Sequence, residues 1–430
     1  MITVFVFAIA LAQDTVRAPR LVLADVYREA RTASPRAEAA RALALAAHSR
    51  VAPAKLPPDP SLQLGFMNYA LPRLAPMENI GMTQIQLMQM IPTAGKLGLS
   101  GRVAQAQADA VSERADDVVW DVRARAAMAF YDLYATDRAL DVARQTVRLL
   151  QDILRTAEAM YRVGEGRQTD VLRAQVEIAR MTEDTVRMTT MRTGMAARLS
   201  ALLNRAADAP VGSPALPTFP DSVASLDSYL HTSQNDRPMV KAGTQEVAAA
   251  SAQVALTRRE IWPDLAVGIQ YGQRGDAMGS TDRMGSLMIG VSVPVFAKNR
   301  QFRMRQEAAA MRQMAEADLA AMRADTRAGV TEAYANLVRA RHLGALYRTT
   351  IIPQAEATTA SAFAAYRVGG VDFMTLLDNR MTVNRYRQDL FALEADEGKA
   401  WSELEMLLGR ELFTPTTVAG RSAPAREREN

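Results

Sequence analysis

The chain contains no cysteine among its 430 residues. This absence excludes disulfide bonds, thiol nucleophiles, cysteine-based metal sites and a lipid-modified cysteine anchor. Only three histidines are present, His48, His231 and His342, and no partner stands near any of them at a metal-ligand spacing. We therefore expect neither a metal site nor a bound cofactor.

Long apolar runs are also missing. Apart from residues 4–11, no stretch approaches the roughly 18 consecutive apolar residues of a membrane-spanning helix. The short run ends in Ala10-Leu11-Ala12, which has the small-x-small form of a signal-peptidase site. We predict a signal peptide over residues 1–12 and an N-terminal extension over residues 13–22. No Lys or Arg precedes the run, which departs from the usual signal pattern.

Clusters of one charge are absent as well. The formal charge of +4 is spread thinly, without a basic run that would bind nucleic acid. No Ser/His/Asp spacing, phosphate loop or catalytic acid pair is visible, so the sequence predicts no enzyme. The 23 methionines are scattered, which favours flexible packing over a soft-metal site. The hydrophobic content of 49% is nevertheless sufficient for a folded core.

What the chain does contain is an internal duplication. The tetrapeptide Tyr-Arg-Val-Gly occurs at residues 161–164 and again at residues 366–369. Further matches at nearly the same offset are Pro60 with Pro263, Lys96 with Lys298, Leu172 with Leu377, and Arg205 with Arg410. A repeat on this scale decides the fold before any local pattern does. We assign copy 1 to residues 23–210 and copy 2 to residues 226–412.

Each copy predicts the same order of elements: a helix, two strands, a long helix and a shorter helix. The predicted strands are residues 60–69, 82–91, 263–272 and 284–294, the long helices 95–163 and 298–367, and the shorter helices 169–205 and 373–408. Prolines mark residues 211–225 as a linker between the copies. The tail over residues 413–430 is predicted to be disordered.

Alternating side chains carry the strand prediction. In copy 2, Leu265, Val267 and Ile269 share one face, while the residues between them are small or polar. A strand of about ten residues tilted by about 40° spans about 25 Å, the height of the apolar band of a membrane barrel. Four strands cannot close such a barrel, so several chains would have to contribute. Alternation alone is also compatible with a soluble antiparallel sheet packed on a helix.

The long helix of copy 1 follows a seven-residue apolar repeat, which indicates a coiled-coil seam. The seam positions are Val119, Ala126, Leu133, Leu140, Val147, Leu154 and Tyr161, with Ala143, Leu150 and Ala157 beside the later ones. Glycines then end the helix, and the pattern predicts a tight helical hairpin in which Thr169 or Asp170 caps the next helix.

This constellation resembles the outer-membrane efflux (TolC-type) family over about residues 21–412. The residues that carry the resemblance are the two Tyr-x-Val-Gly turns, Leu-Leu-Asp at 376–378, Pro-Asp-Leu at 263–265 and Leu-Leu-Gly-Arg at 407–410. The resemblance implies an α+β membrane protein, in which three chains form a twelve-stranded β-barrel continued by a periplasmic α-helical barrel. It also implies an outer-membrane location that extends into the periplasm.

The resemblance further implies partners and site residues. A homotrimer in outer-membrane lipid would receive cargo from an inner-membrane pump through a periplasmic adaptor, and no nucleic acid would be involved. Val163, Gly164, Val368 and Gly369 correspond to adaptor-contact positions at the periplasmic tip. Asp378 corresponds to a pore constriction, and Thr375 stands where some members carry a second acidic residue.

Two matters stay open at this level. A soluble periplasmic coiled-coil scaffold, with its strands in an ordinary sheet, is the alternative to a passive exit duct. If the chain is a duct, a pump would select the cargo, so metal ions, drugs, lipids and polypeptides all fit the sequence.

Overall fold

A computed structural model of the chain describes residues 20–414, except residues 71, 73, 74, 78, 79 and 276–279. The predicted signal peptide and almost all of the predicted disordered tail lie outside these residues. The helices are α1 (Leu23–Ala33), α2 (Pro35–Ser49), α3 (Lys96–Arg162), α4 (Gln168–Leu202), α5 (Leu226–Asp236), α6 (Pro238–Arg259), α7 (Gln301–Leu346), α8 (Ile352–Tyr366) and α9 (Phe373–Leu408). The strands are β1 (Leu21–Val22), β2 (Ser61–Met67), β3 (Tyr69–Ala70), β4 (Ala75–Pro76), β5 (Met82–Ile91), β6 (Pro214–Ala215), β7 (Leu265–Gly275) and β8 (Thr281–Val291).

The chain forms two compact units, and each unit takes segments from both sequence copies. Unit 1 contains the described residues up to 37, residues 119–230 and the described residues from 329 onward. Unit 2 contains residues 38–118 and the described part of residues 231–328. The division into units therefore does not follow the division into repeats.

Unit 2 contains a four-stranded antiparallel sheet in the order β2-β5-β7-β8. The central pair, β5 with β7, joins one strand from each copy, with Ile91 opposite Leu265. The paired aliphatic residues Leu62, Leu87, Ile269 and Leu287 share one face, because the side-chain period of a strand is two. This face is solvent-exposed in the chain, as the exposed fractions of Leu62 (69%) and Ile289 (71%) show.

A clasp joins the start of α3 to the residues before β7 in unit 2. The Lys96 ammonium donates hydrogen bonds of 2.8 Å to the Trp262 carbonyl and of 2.8 Å to the Asp264 carboxylate. The Thr93 backbone N–H donates to the same carboxylate at 3.1 Å. Because Lys96 is buried, its charge needs these partners, and the clasp fixes where α3 begins relative to the sheet.

Strand β8 ends earlier than the alternation predicted, at Val291 instead of residue 294. Ser292 still bonds to Asp264, but the Val295 N–H then donates to the Val293 carbonyl at 2.9 Å, which makes a three-residue turn centred on Pro294. Proline has no N–H for a strand ladder, so the strand stops there. Helix α7 consequently begins at Gln301 instead of residue 298.

The heptad seam predicted for α3 is buried in its first part and then moves. Ala126, Leu133 and Leu140 are buried, whereas Tyr161 at the end of the same line is 47% exposed. The buried line passes instead to the neighbouring positions, Ala143, Leu150 and Ala157. A straight helix with 3.6 residues per turn drifts about 20° per heptad, which accounts for the change.

Unit 1 has a polar cluster within its core. The Arg123 guanidinium bonds to the Glu405 carboxylate at 2.9 Å and to Glu411 at 2.6 Å, and it lies 3.9 Å above the Tyr27 ring. Glu405 also accepts the Leu412 N–H at 2.8 Å. Burial raises the pKa of Glu405, although the Arg123 charge opposes the rise. The buried pair Arg123 and Glu405 therefore fixes the end of α9 against α3, while Glu411 is solvent-exposed.

The two-stranded parallel pair of β1 with β6 also lies in unit 1. Strand β6 falls in the stretch predicted as a proline-rich linker. The Leu21 N–H donates to the Ser213 carbonyl at 3.1 Å, so the linker is anchored to the N-terminal segment of the described chain.

Candidate functional site: the helical turns of unit 1

The turn after α3 is a Schellman motif centred on Gly164. The Gly164 N–H donates to the Tyr161 carbonyl at 3.1 Å, and the Glu165 N–H donates to the Met160 carbonyl at 2.9 Å. Gly164 has a φ of +83°, a left-handed conformation that costs L-residues with a side chain about 1–2 kcal/mol. The glycine therefore allows the helix to end sharply within one residue.

The turn after α8 repeats this geometry. The Gly369 N–H donates to the Tyr366 carbonyl at 3.1 Å, the Gly370 N–H donates to the Ala365 carbonyl at 2.9 Å, and φ at Gly369 is +73°. A Cβ atom built on Gly164 or on Gly369 would meet nothing within 4 Å. Both turns therefore need glycine for the backbone conformation and not for space.

Each turn presents one exposed valine. Val163 is 71% exposed and Val368 is 83% exposed, and each immediately precedes the left-handed glycine. An apolar side chain at such exposure contributes little to folding, so these valines are available for contact with another surface. The structure thus places the four predicted adaptor-contact residues at two equivalent turns of unit 1.

The helices that follow the two turns begin differently. Asp372 is the N-cap of α9, and its carboxylate accepts hydrogen bonds from the Thr375 N–H, at 3.3 Å, and from the Thr375 hydroxyl. These bonds hold the pKa of Asp372 below its usual value. The N-cap of α4 is Arg167, which has no side-chain cap, so the prediction that Thr169 or Asp170 caps this helix is wrong.

An apolar cluster supports both turns. Its buried members are Leu150, Ile153, Ala174, Met181, Ala362, Tyr366, Phe373, Leu376 and Leu377. Tyr366 and Phe373 meet edge to face, with 5.8 Å between ring centroids. Burial raises the pKa of the Tyr366 hydroxyl, and the negative charge of Asp170 adds to the rise. Side chains from both turn regions therefore pack into one cluster.

The predicted constriction residues lie on the first turns of α9. Asp378 and Thr375 are both exposed, on either side of the buried pair Leu376 and Leu377. The Thr375 hydroxyl is occupied by its hydrogen bond to Asp372. Asp378 makes no ion pair with any residue that the structure describes.

Some residues that position these elements were not identified from the sequence. Asp372 was missed as a cap, and its signal was an acidic residue three positions before Thr375 at the start of an apolar helix. The partners Arg123 and Glu405 are separated by 282 positions, and no local pattern links them. Across the described residues, no group of three or more His, Asp or Glu side chains could hold a metal ion.

No helix in the described part of the chain has both the length and the apolar character needed to cross a membrane.

The outer membrane efflux protein family model matches the chain twice, at residues 26–205 and 229–410. The chain belongs to this family. Both matches fall on the two predicted copies, which confirms the family predicted from the repeated motifs. Membership also confirms the expected outer-membrane location.

One curated protein is similar in sequence over part of its length. Protein CyaE of Bordetella pertussis is 27% identical over 246 residues. The match includes 56% of this chain and 52% of CyaE, so it spans about half the length of that relative.

Solved structures show the same fold. The outer membrane protein VceC of Vibrio cholerae has 16% identity and a TM-score of 0.77, over 90% of this chain and 96% of that one. The open-state outer membrane channel MtrE of Neisseria gonorrhoeae has 15% identity and a TM-score of 0.77, over 91% and 89%. The predicted fold class, a duplicated unit of long helices and strand pairs, is confirmed by these similarities.

Proposed function

We propose that the chain is one subunit of a trimeric exit duct in a tripartite efflux system. Three four-stranded sheets would form a twelve-stranded barrel in outer-membrane lipid, and the long helices would continue it as a tunnel in the periplasm. Membership in the efflux family is the observation that carries this proposal. The exposed apolar face of the unit 2 sheet supports it, because a contiguous apolar surface of this kind needs lipid or protein contact.

Transport through the duct would be passive. An inner-membrane pump would deliver the cargo through a periplasmic adaptor, and the duct itself would carry out no catalysis and hold no cofactor. The efflux family favours this function over the soluble periplasmic scaffold that the sequence left open.

Purified protein in detergent provides the test. We expect a particle of three 47.0 kDa chains, less any cleaved segment, that forms stable channels in planar bilayers. A monomer that stays soluble without detergent and forms no channels would contradict the proposal and would favour the scaffold.

The two glycine turns are the proposed contact with the adaptor. Because Val163 and Val368 are exposed, replacing both with Asp changes the surface of the turns and leaves the supporting apolar cluster intact. We expect V163D/V368D to lose co-purification of the adaptor from cells that contain the whole efflux system, while the trimer persists. Val186→Asp, which alters an exposed valine in the middle of α4, is the matched control. Unchanged adaptor recovery with V163D/V368D would exclude the turns as the contact.

Asp378 is the proposed constriction residue, beside Thr375. One inward-facing Asp per chain would make a ring of three like charges, and such rings favour cations in a pore. We expect Asp378→Ala to raise the conductance or to lower the cation selectivity in planar bilayers. Glu183→Ala removes another exposed carboxylate, on α4, and serves as the control. If Asp378→Ala behaves like this control, Asp378 lies away from the constriction.

A further inference from the structure

The sheet of unit 2 has two open edges. Its order leaves β2 at one edge and β8 at the other, each with one side of its backbone unpaired by the described strands. In lipid, such unpaired groups cost several kcal/mol each, so a membrane sheet has to close. The inference below rests on the proposed trimeric duct and specifies how one subunit meets the next.

The repeat supplies a template for this contact. Strand β5 is the second strand of copy 1, and it pairs with β7, the first strand of copy 2. The repeat-related pair is the second strand of copy 2, β8, with the first strand of copy 1, β2. These two strands lie at opposite edges of one sheet, so they can pair only between two copies of the chain.

The alignment of the two sequence copies gives the register of the contact between β8 and β2. Met82, Pro92 and Lys96 align with Met284, Pro294 and Lys298, so each β5 residue maps 202 positions onward into β8. Pro263 and Gly268 align with Pro60 and Gly65, so each β7 residue maps 203 positions back into β2.

Gln89 lies opposite Val267 in the template. Closure of the proposed twelve-stranded barrel requires β8 of one subunit to pair antiparallel with β2 of its neighbour, and we propose that Val291 then lies opposite the neighbouring copy's Leu64. The same register sets Ile289 opposite the neighbouring copy's Phe66.

The apolar face restricts the alternatives. Within the chain, Ile289 is opposite Val267 and Leu64 is opposite Ile85, all on the exposed apolar face. A register shifted by one residue would turn one strand's apolar side chains to the polar face. Only shifts of two residues therefore compete with the proposed register.

The strand tilt of the closed barrel distinguishes between these alternative registers. The observed strand pairs lead across the sheet from Leu62 through Leu87 and Ile269 to Leu287. From Leu287 the proposed register leads to Asn68 of the neighbouring copy. A path across one subunit therefore ends six residues further along the chain than Leu62, where it began, and the stagger for three subunits is about 18 residues. With about 3.3 Å per residue and about 4.8 Å between strands, this stagger gives a strand tilt of about 46°.

A tilt of about 46° lies just above the usual range of about 35–45°. A shift of two residues in one direction gives about 54°, outside this range, and in the other direction about 35°, inside it. The tilt therefore disfavours the shifted register that gives about 54°. The register derived from the repeat disfavours the one that gives about 35°.

Charges at the strand ends agree with the template. Trp262, whose backbone carbonyl accepts from Lys96, maps onto Asp59, while Asp264 maps onto Ser61 and Lys96 itself onto Lys298. Asp59 and Lys298 are both exposed and form no ion pair with any part of the chain that the structure describes. The proposed pairing would bring these opposite charges to the same end of the contact.

Disulfide trapping tests the register, and the absence of native cysteine makes every cross-link assignable. Val291→Cys is combined in turn with Leu62→Cys, Leu64→Cys or Phe66→Cys, and the detergent-purified trimer is oxidised under mild conditions. A disulfide requires Cβ atoms about 3.5–4.5 Å apart, whereas a diagonal pair lies about 7–8 Å apart. Within one chain the two edges are about 14 Å apart, so any bond has to join two subunits.

We expect V291C/L64C to form covalent dimers and trimers roughly tenfold faster than the other two combinations. Faster cross-linking with Leu62→Cys or Phe66→Cys would overturn the register and leave the trimeric duct standing. An intact trimer that cross-links in none of the combinations would overturn the pairing of these edges. The particle mass of the cysteine-free protein, measured first, decides separately whether the trimer exists.

Discussion

The most informative test of the core concerns Gly398 of α9, which packs directly against Tyr131 of α3. A Cβ atom at this position would lie 2.2 Å from Tyr131 Cε1 and 2.3 Å from Cζ. Gly398→Ala therefore adds a single methyl group against a rigid ring. The ring cannot move away freely, because Phe130 lies edge to face at 5.3 Å and Phe219 lies at 6.2 Å between centroids.

Two effects of opposite sign determine the outcome. Replacing a helix-interior Gly with Ala stabilises an unhindered helix by about 1 kcal/mol. Overpacking a filled core costs about 1–3 kcal/mol and occasionally more, and an approach of 2.2 Å to a buried ring lies at the severe end. We therefore expect a net loss of about 2 kcal/mol, which lowers the melting temperature of a unit of this size by about 4–8 °C.

Thermal melts followed by circular dichroism in detergent measure this effect. Gly194→Ala is the matched control, because Gly194 lies inside α4 and a Cβ there would meet nothing within 4 Å. It should raise the melting temperature slightly. Tyr131→Leu should recover part of the loss when combined with Gly398→Ala. A Gly398→Ala protein as stable as the Gly194→Ala control would refute the close approach of the two helices.

Three further predictions concern polar groups. Burial raises the pKa of Glu405, so protonation of this group stabilises the fold below that pKa, and the stabilisation is lost as the pH rises through it. The melting temperature of the wild type relative to Glu405→Gln should therefore rise on acidification from pH ~7 towards ~4.5. Parallel pH profiles of the two proteins would contradict this. Lys96→Met leaves the Asp264 carboxylate without its cation and should lower the free energy of unfolding by about 2–3 kcal/mol. Adding Asp264→Asn should restore part of this loss. Equal melting temperatures for Lys96→Met and wild type would refute the clasp. Asp372→Ala should speed amide hydrogen exchange at Thr375, which an unchanged rate would disprove.

The periodic parts of the fold could be predicted from the sequence. Alternation found β7 and β8 because the residues that share one face from Leu265 to Tyr271 and from Leu287 to Val291 are apolar. The glycines of the Tyr-Arg-Val-Gly repeats found the turns because left-handed backbone favours glycine. Strand ends were less predictable, since the turn at Pro294 depends on hydrogen bonds that alternation does not encode.

Contacts between distant segments could not be predicted in this way. The Arg123 ion pair with Glu405 requires knowledge of which helices adjoin, and each residue alone is an ordinary charged residue on a helix. The two-residue strand β6 carries no periodic signal at all. At the turns, sequence indicated the exposed valines only through their place in the repeat. The role of Asp378 in a pore stays a prediction.

The pairing of β5 with β7 has a consequence for the origin of the chain. A polypeptide with only one copy would possess β5 but no β7, and it would have to obtain that partner strand from another molecule. Fusion of two copies makes this encounter intramolecular, with an effective concentration in the millimolar range for a short connection. Gene duplication would thus have turned a contact between separate molecules into a permanent covalent arrangement, after which the two halves were free to diverge, as the capped and uncapped helix starts at Asp372 and Arg167 have done.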